Sequence, residues 1–118
     1  TSRFVAEFIG RMNIMPIEHS VFAGQQLTLS PEKQGATMIG IRPEDVRVHA
    51  SASPADAGLI PVKLRNTIYL GHLAHLVLDI DGSSQEIIAE VPGHACKAIS
   101  DAPHVAIELR PETIKVLQ

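Results

Sequence analysis

The sequence predicts an all-β fold, an OB-type small barrel with a short N-terminal helix. Short β-forming runs recur about every eight to twelve positions, turn residues separate them, and one strand–turn–strand pattern occurs twice. Many short strands with two matching corners are typical of a closed sheet, because closure removes exposed strand edges. The composition agrees, since 45% of the 118 residues are hydrophobic but only 3% are aromatic, which predicts an aliphatic core.

Nine segments combine apolar residues with flanking Gly, Pro, Asp or Ser. In one of them Ile60, Val62 and Leu64 alternate with other residues, which predicts a strand with one buried face. Asp81-Gly82 predicts a hairpin turn, because Gly adopts a positive φ without steric cost. The predicted strands are Asn13–Glu18, Gln25–Leu29, Met38–Ile41, Val46–Ala50, Ile60–Leu70, Leu73–Ile80, Glu86–Val91, Val105–Leu109 and Ile114–Leu117.

The first ten residues have a helical period instead. Thr1 or Ser2 can cap a helix there, and Gly10 can end it. Four apolar residues share one face of this helix: Phe4, Val5, Phe8 and Ile9. Because so short a helix depends on tertiary packing, we expect this face to pack either against the barrel itself or against a neighbouring domain. We divide the chain into residues 1–12, which contain this helix, and residues 13–118, the barrel domain.

A ten-residue pattern occurs twice. Residues 39–48 read IGIRPEDVRV and residues 107–116 read IELRPETIKV, with Arg-Pro-Glu identical in both. Pro fixes the first turn position and the flanking β-branched residues favour strands, so we predict two equivalent strand–turn–strand corners. The corner charges are candidates for contacts with another domain or subunit, with solvated surface charge as the alternative. They are Arg42, Glu44, Arg110 and Glu112.

Charge and cysteine content exclude several classes of protein. The net charge is −3 and the Lys and Arg residues are scattered, which argues against a nucleic-acid partner. Cys96 is the single cysteine and cannot form an internal disulfide, which favours a reducing compartment such as the cytoplasm. No apolar run approaches the roughly 20 residues that span a bilayer.

Catalytic and metal-binding patterns are absent from the sequence. No Gly-x-x-x-x-Gly-Lys-Ser/Thr loop is present to cradle ATP phosphates, and no Gly-x-Ser-x-Gly elbow is present for hydrolysis. His72 and His75 would lie on opposite faces of a strand, and a structural zinc site needs about four ligands. We therefore expect no catalytic residue, cofactor or metal in this chain.

Four segments, in order, resemble one family. They are Phe4–Gly10 followed by Asn13, then Gly40–Val46, then Tyr69-Leu70-Gly71 followed by Val77–Gly82, and finally Val105–Glu112. Together they are similar to the TOBE (transport-associated OB) domain at the C-terminus of ATP-binding subunits of bacterial ABC importers. No single segment is specific, but the four cover nearly the whole chain in register.

The resemblance implies a non-catalytic regulatory and dimer-contact domain. Residues 1–12 would be the end of the linker helix from a nucleotide-binding domain, and ATP and Mg²⁺ would bind in that domain. The implied partners are that domain, a second ATPase subunit and the permease, at the cytoplasmic side of the inner membrane.

The segment after the helix bears on the branch of the family. Ile9-Gly10-Arg11-Met12-Asn13 is shorter than in sugar importers, which favours the polyamine, ferric-iron or related branch. The alternative is a small-ligand or oxyanion-sensing domain of the molybdate-binding type, which carries Ser-Ala-Arg-Asn where this chain has Gly10-Arg11-Met12-Asn13.

Overall fold

The structure, a computed structural model, describes residues 12–17, 21–22, 25–26, 35, 37–51 and 59–116. The predicted N-terminal helix, with Phe4, Val5, Phe8 and Ile9 on one face, lies outside these residues. Within the described part, the strands are β1 (Asn13–Pro16), β2 (Val21–Phe22), β3 (Gln25–Gln26), β4 (Met38–Ile41), β5 (Val46–Ser51), β6 (Ile60–Leu70), β7 (Leu73–Ile80), β8 (Glu86–Pro92), β9 (His104–Leu109) and β10 (Lys115–Val116).

Short helical turns connect several of these strands. Helix α1 (Cys96–Asp101) follows β8, and 3-10 turns occupy Pro43–Asp45, Gly93–Ala95 and Pro111–Thr113. In α1 the buried side chains of Cys96 and Ile99 are three positions apart. No helix in the described ranges is long and apolar enough to cross a membrane.

A five-stranded antiparallel sheet, in the order β5-β9-β6-β7-β8, forms the barrel wall. The Cα atoms of its two outermost strands, β5 and β8, approach within 8 Å of one another, so the sheet curls back on itself. β7 alternates strictly, with Ala74, Leu76, Leu78 and Ile80 buried and the residues between them half-buried. The all-β, OB-like prediction is confirmed.

A second antiparallel sheet, in the order β1-β4-β10, packs on the first. Its inward side chains join those of the barrel wall in one aliphatic core. Residues with at most 1% exposure in that core are Met15, Ile39, Ile41, Ala74, Leu76, Leu78, Ile80, Ile87, Ala89, Ile107 and Ile114. Each large side chain buried in this way contributes about 1.5–3 kcal/mol, so aliphatic burial supplies much of the stability of the described part of the barrel.

The hairpin between β7 and β8 has the turn that the sequence predicts. Gly82 has φ +74°, and the Ser83 N–H donates to the Ile80 carbonyl at 3.2 Å. The longer hairpin between β6 and β7 turns at Gly71, with φ +80°. β6 also has a register shift between Leu64 and Asn66 against β7, and a bulge of this kind bends a strand.

Candidate functional site

The two Arg-Pro-Glu corners have nearly the same backbone. Arg42 has φ −74° and ψ 147°, and Arg110 has φ −75° and ψ 133°. Each arginine carbonyl accepts a hydrogen bond at 2.9 Å from the N–H three residues on, that of Asp45 or Thr113. Each Pro then begins a three-residue 3-10 turn between two strands. The prediction of equivalent corners is confirmed, with a 3-10 turn in place of a simple β-turn.

The corners are also paired with one another. Ile39 pairs with Val116 between β4 and β10, and Val48 pairs with Ile107 between β5 and β9. Positions 39 and 107 are equivalent in the repeat, as are positions 48 and 116. The first strand of each copy therefore pairs with the second strand of the other copy. The result is one bent two-stranded ribbon with a local two-fold axis between the corners.

The charged side chains at the bend differ in their environment. Arg42 and Glu44 are exposed, and Arg42 has no ion pair with any described residue. Arg110 lies 3.8 Å from Glu112, measured from Nη1 to Oε2, and its buried Nε has no hydrogen-bond acceptor among the described residues. Glu112 is 68% exposed. The bend thus presents cationic and anionic groups that an outside partner can reach.

Asn13, at the start of β1, is fully buried. Its side-chain Nδ2 donates to the carbonyls of Ile88 at 2.9 Å and Ile41 at 3.2 Å, and its Oδ1 accepts from the Ile88 N–H at 2.8 Å. Both ends of the carboxamide are therefore occupied by backbone groups. Asn13 is not free to bind an oxyanion, and Arg11, the other residue of that alternative, lies outside the described residues.

The described histidines lie in different settings and do not form one cluster. His72 lies in the β6–β7 turn rather than on a strand, because Gly71 and His72 form the reversal. His75 lies on β7, and its Nε2 is 3.0 Å from Glu90 Oε1 on β8. His49 makes a similar 3.0 Å contact with Glu108. Across the described ranges, no three His, Cys, Asp or Glu side chains converge as metal ligands would.

Arg65 joins three strands on the outer face of the barrel. Its Nε and Nη2 each lie 3.0 Å from a carboxylate oxygen of Asp79, a bidentate pair, and its Nη1 contacts Glu86. The β-bulge lies at this residue. The guanidinium is engaged by two carboxylates, so Arg65 is not a free cation for a nucleic-acid phosphate.

The tip of the β6–β7 hairpin is an exposed surface, and the sequence analysis predicted no contact role for it. Tyr69 is 66% exposed and Leu70 is 50% exposed. Tyr69 faces Ala74 across the hairpin, so it continues the buried face of β7 past the end of the core. The sequence could have drawn attention to this surface, because Tyr69 is the one tyrosine of a chain with 3% aromatic residues.

A scan against protein families matches the TOBE domain over residues 39–117. The chain belongs to the TOBE family. The match includes both Arg-Pro-Glu corners and every strand from Ile39 to Val116, which accounts for the OB-like barrel. The membership expected from the sequence is confirmed.

Curated relatives of this TOBE domain are ATP-binding subunits of importers. The spermidine/putrescine import ATP-binding protein PotA of Nitrosomonas eutropha is 29% identical over 99 residues, covering 71% of this chain and 27% of that protein. PotA of Ruegeria pomeroyi is 27% identical over 100 residues, covering 75% and 26%. The sn-glycerol-3-phosphate import ATP-binding protein UgpC 3 of Rhizobium johnstonii is 35% identical over 98 residues, covering 78% and 26%.

The matched relatives are much longer than this TOBE domain. The chain spans about a quarter of the length of each curated relative that it matches.

Proposed function

We propose that this TOBE domain is the non-catalytic C-terminal part of the ATP-binding subunit of an ABC importer. The family match over residues 39–117 supports this proposal, together with relatives that are ATP-binding import proteins. In the parent subunit, ATP and Mg²⁺ bind to an upstream nucleotide-binding domain. The barrel contributes contacts with that domain and with a second ATPase subunit, at the cytoplasmic side of the inner membrane.

A comparison of the isolated chain with its full-length parent tests whether ATP binds to the upstream domain rather than to the barrel. We expect calorimetry to detect no ATP binding to residues 1–118, and the parent to hydrolyse ATP with Mg²⁺. A parent that lacks residues 13–118 should still bind ATP. Its subunits should no longer associate, or its ATP hydrolysis should no longer be regulated. Micromolar ATP binding to the isolated chain, or a parent that binds no ATP, would contradict the proposal.

The corner charges are the candidate contacts. Arg42 and Glu44 are exposed, and Arg42 has no ion pair within the described residues, so both can reach a partner. In the parent, Arg42→Ala with Glu44→Ala should weaken subunit association several-fold in sedimentation. Lys97→Ala with Asp101→Ala is the matched control, because it removes an exposed ion pair of 2.9 Å from α1. Equal association in both double variants would exclude the corner as a contact.

The transported solute is inferred from the sequence at the junction. The short segment before Asn13 supports a polyamine or ferric-iron importer over a sugar importer, while the relatives include proteins named for polyamine and for sn-glycerol-3-phosphate import. Uptake of labelled spermidine, iron and glycerol-3-phosphate in cells with and without the parent gene decides among them. Loss of glycerol-3-phosphate uptake alone would reject the polyamine and iron assignment.

The oxyanion-sensing alternative has less support. Both N–H groups of the Asn13 carboxamide are donated, to Ile41 and Ile88, so the side chain has no N–H left for an anion. A thermal-shift screen of the isolated chain with molybdate, sulfate and phosphate should give no rise in Tm. A specific rise with one anion would restore this alternative through mass action.

A further inference from the structure

Asn13 is the single fully buried polar side chain among the residues that the structure describes. A buried amide is costly unless its hydrogen bonds are made, and here three are made, at 2.8, 2.9 and 3.2 Å. Two of them go to Ile88, which is 75 residues away in the sequence. An apolar side chain could fill this space, but it would leave the Ile88 N–H and carbonyl without these partners, so the amide has a specific structural role.

The carboxamide acts on β8 as a neighbouring strand would. It accepts from the Ile88 N–H and donates to the Ile88 carbonyl, the same exchange that a paired residue makes in an antiparallel ladder. Its other Nδ2 hydrogen reaches the Ile41 carbonyl on β4. One side chain on β1 therefore bonds to β4 in its own sheet and to β8 in the five-stranded sheet. These bonds add to the backbone pairing of Asn13 with Ile41.

The position of this clamp in the chain gives it a second consequence. Asn13 is the first residue of β1, where the chain coming from residues 1–12 enters the barrel. We propose that Asn13 is a positioning residue, which fixes the direction of entry and thereby holds the barrel at one orientation to the domain that precedes it. This inference rests on the proposed function, because it requires an upstream domain.

Substitutions at this position separate clamping from packing. Asn13→Ala removes all three side-chain bonds and leaves the Ile88 N–H and carbonyl without these partners. The matched control is Ile87→Ala, which removes a fully buried side chain from β8, next to Ile88, and keeps the three bonds of Asn13. If Asn13→Ala does not fold, Asn13→Ser replaces it, because serine keeps one hydrogen-bonding group.

The experiment measures rotation of the barrel in the full-length parent. A fluorophore is attached at Ser84→Cys, an exposed position in the β7–β8 turn, with Cys96→Ala and other reactive cysteines replaced. Time-resolved anisotropy then gives the rotational correlation time at the barrel. We expect the correlation time of the Asn13 variant to fall toward that of the isolated 118-residue module. The correlation times of the unmodified parent and of Ile87→Ala should be those of the whole subunit.

Three results would overturn the inference. Asn13→Ala could rotate like the unmodified parent, Ile87→Ala could rotate freely as well, or the unmodified barrel could already rotate independently of the upstream domain. None of these bears on ATP hydrolysis by the parent, so they leave the proposed function standing. Failure of the parent to bind ATP would reject the proposed function separately.

Discussion

The first and second corners have the same Arg-Pro-Glu sequence and nearly the same backbone, but their surroundings differ. Pro43 is buried, and its 3-10 turn packs against β8. Pro111 is only half-buried, although it begins an equivalent turn. Local sequence therefore determines the shape of a corner, whereas the rest of the chain determines which corner is covered.

The largest expected effects concern the flanking core, where the two copies should behave alike. Ile39 and Ile107 occupy equivalent positions and both are 0% exposed. Ile39→Ala and Ile107→Ala should each lower the free energy of unfolding by about 2–5 kcal/mol, because each leaves a cavity. Urea denaturation of the isolated chain measures both. A difference above about 1.5 kcal/mol would show that the local two-fold does not extend into the core.

A smaller effect should separate the two prolines. Replacement of either Pro by Ala increases the entropy of the unfolded chain, at a cost of about 0.4–1 kcal/mol. Pro43→Ala also removes buried methylene groups worth about 0.8 kcal/mol each, so its total should be about 2 kcal/mol and that of Pro111→Ala about half as much. The same denaturation experiment tests this, and a larger loss at Pro111 would reverse the comparison.

The smallest effect is expected at the arginines. Arg42→Ala should change the free energy of unfolding by less than about 0.5 kcal/mol, because the side chain is exposed and has no described ion pair. Arg110→Ala should cost more, about 1 kcal/mol, since its half-buried stem packs on the protein. Its ion pair with Glu112 adds little at 3.8 Å, so Glu112→Gln serves as the control and should be nearly neutral. A loss at Arg42 equal to that at Arg110 would contradict this account.

Much of the fold could be predicted from the sequence, because strand and turn signals are local. Met38–Ile41, Ile60–Leu70 and Leu73–Ile80 are strands over the residues expected. Gly82 forms the expected turn. Helix α1 was not predicted, since six residues are too few to show a helical period. The strand β2 was also missed, because two residues are too few to show the alternation of a strand.

The site was less predictable because its key features depend on distant residues. The repeat predicts two similar corners, but not that each copy pairs with the other. Asn13 could be recognised as a family position, yet its contact with Ile88 arises only when β1 and β8 meet. The placement of Tyr69 beyond the core depends on the bulge in β6, which no short motif announces. The contact roles proposed for Arg42, Glu44, Arg110 and Glu112 stay predictions.

The ribbon formed by the two corners has a consequence for the order of folding. Its two halves, residues 39–48 and 107–116, are separated in sequence by β6, β7 and β8, which are joined to one another by short turns. Closing the ribbon requires a long loop, so its entropic cost is recovered only after the hairpins have formed. We therefore expect the three-stranded meander to form early and the ribbon to close last. Until then the apolar faces of β4 and β9 stay open to misassociation, which makes ribbon closure the step at which newly made protein is most vulnerable.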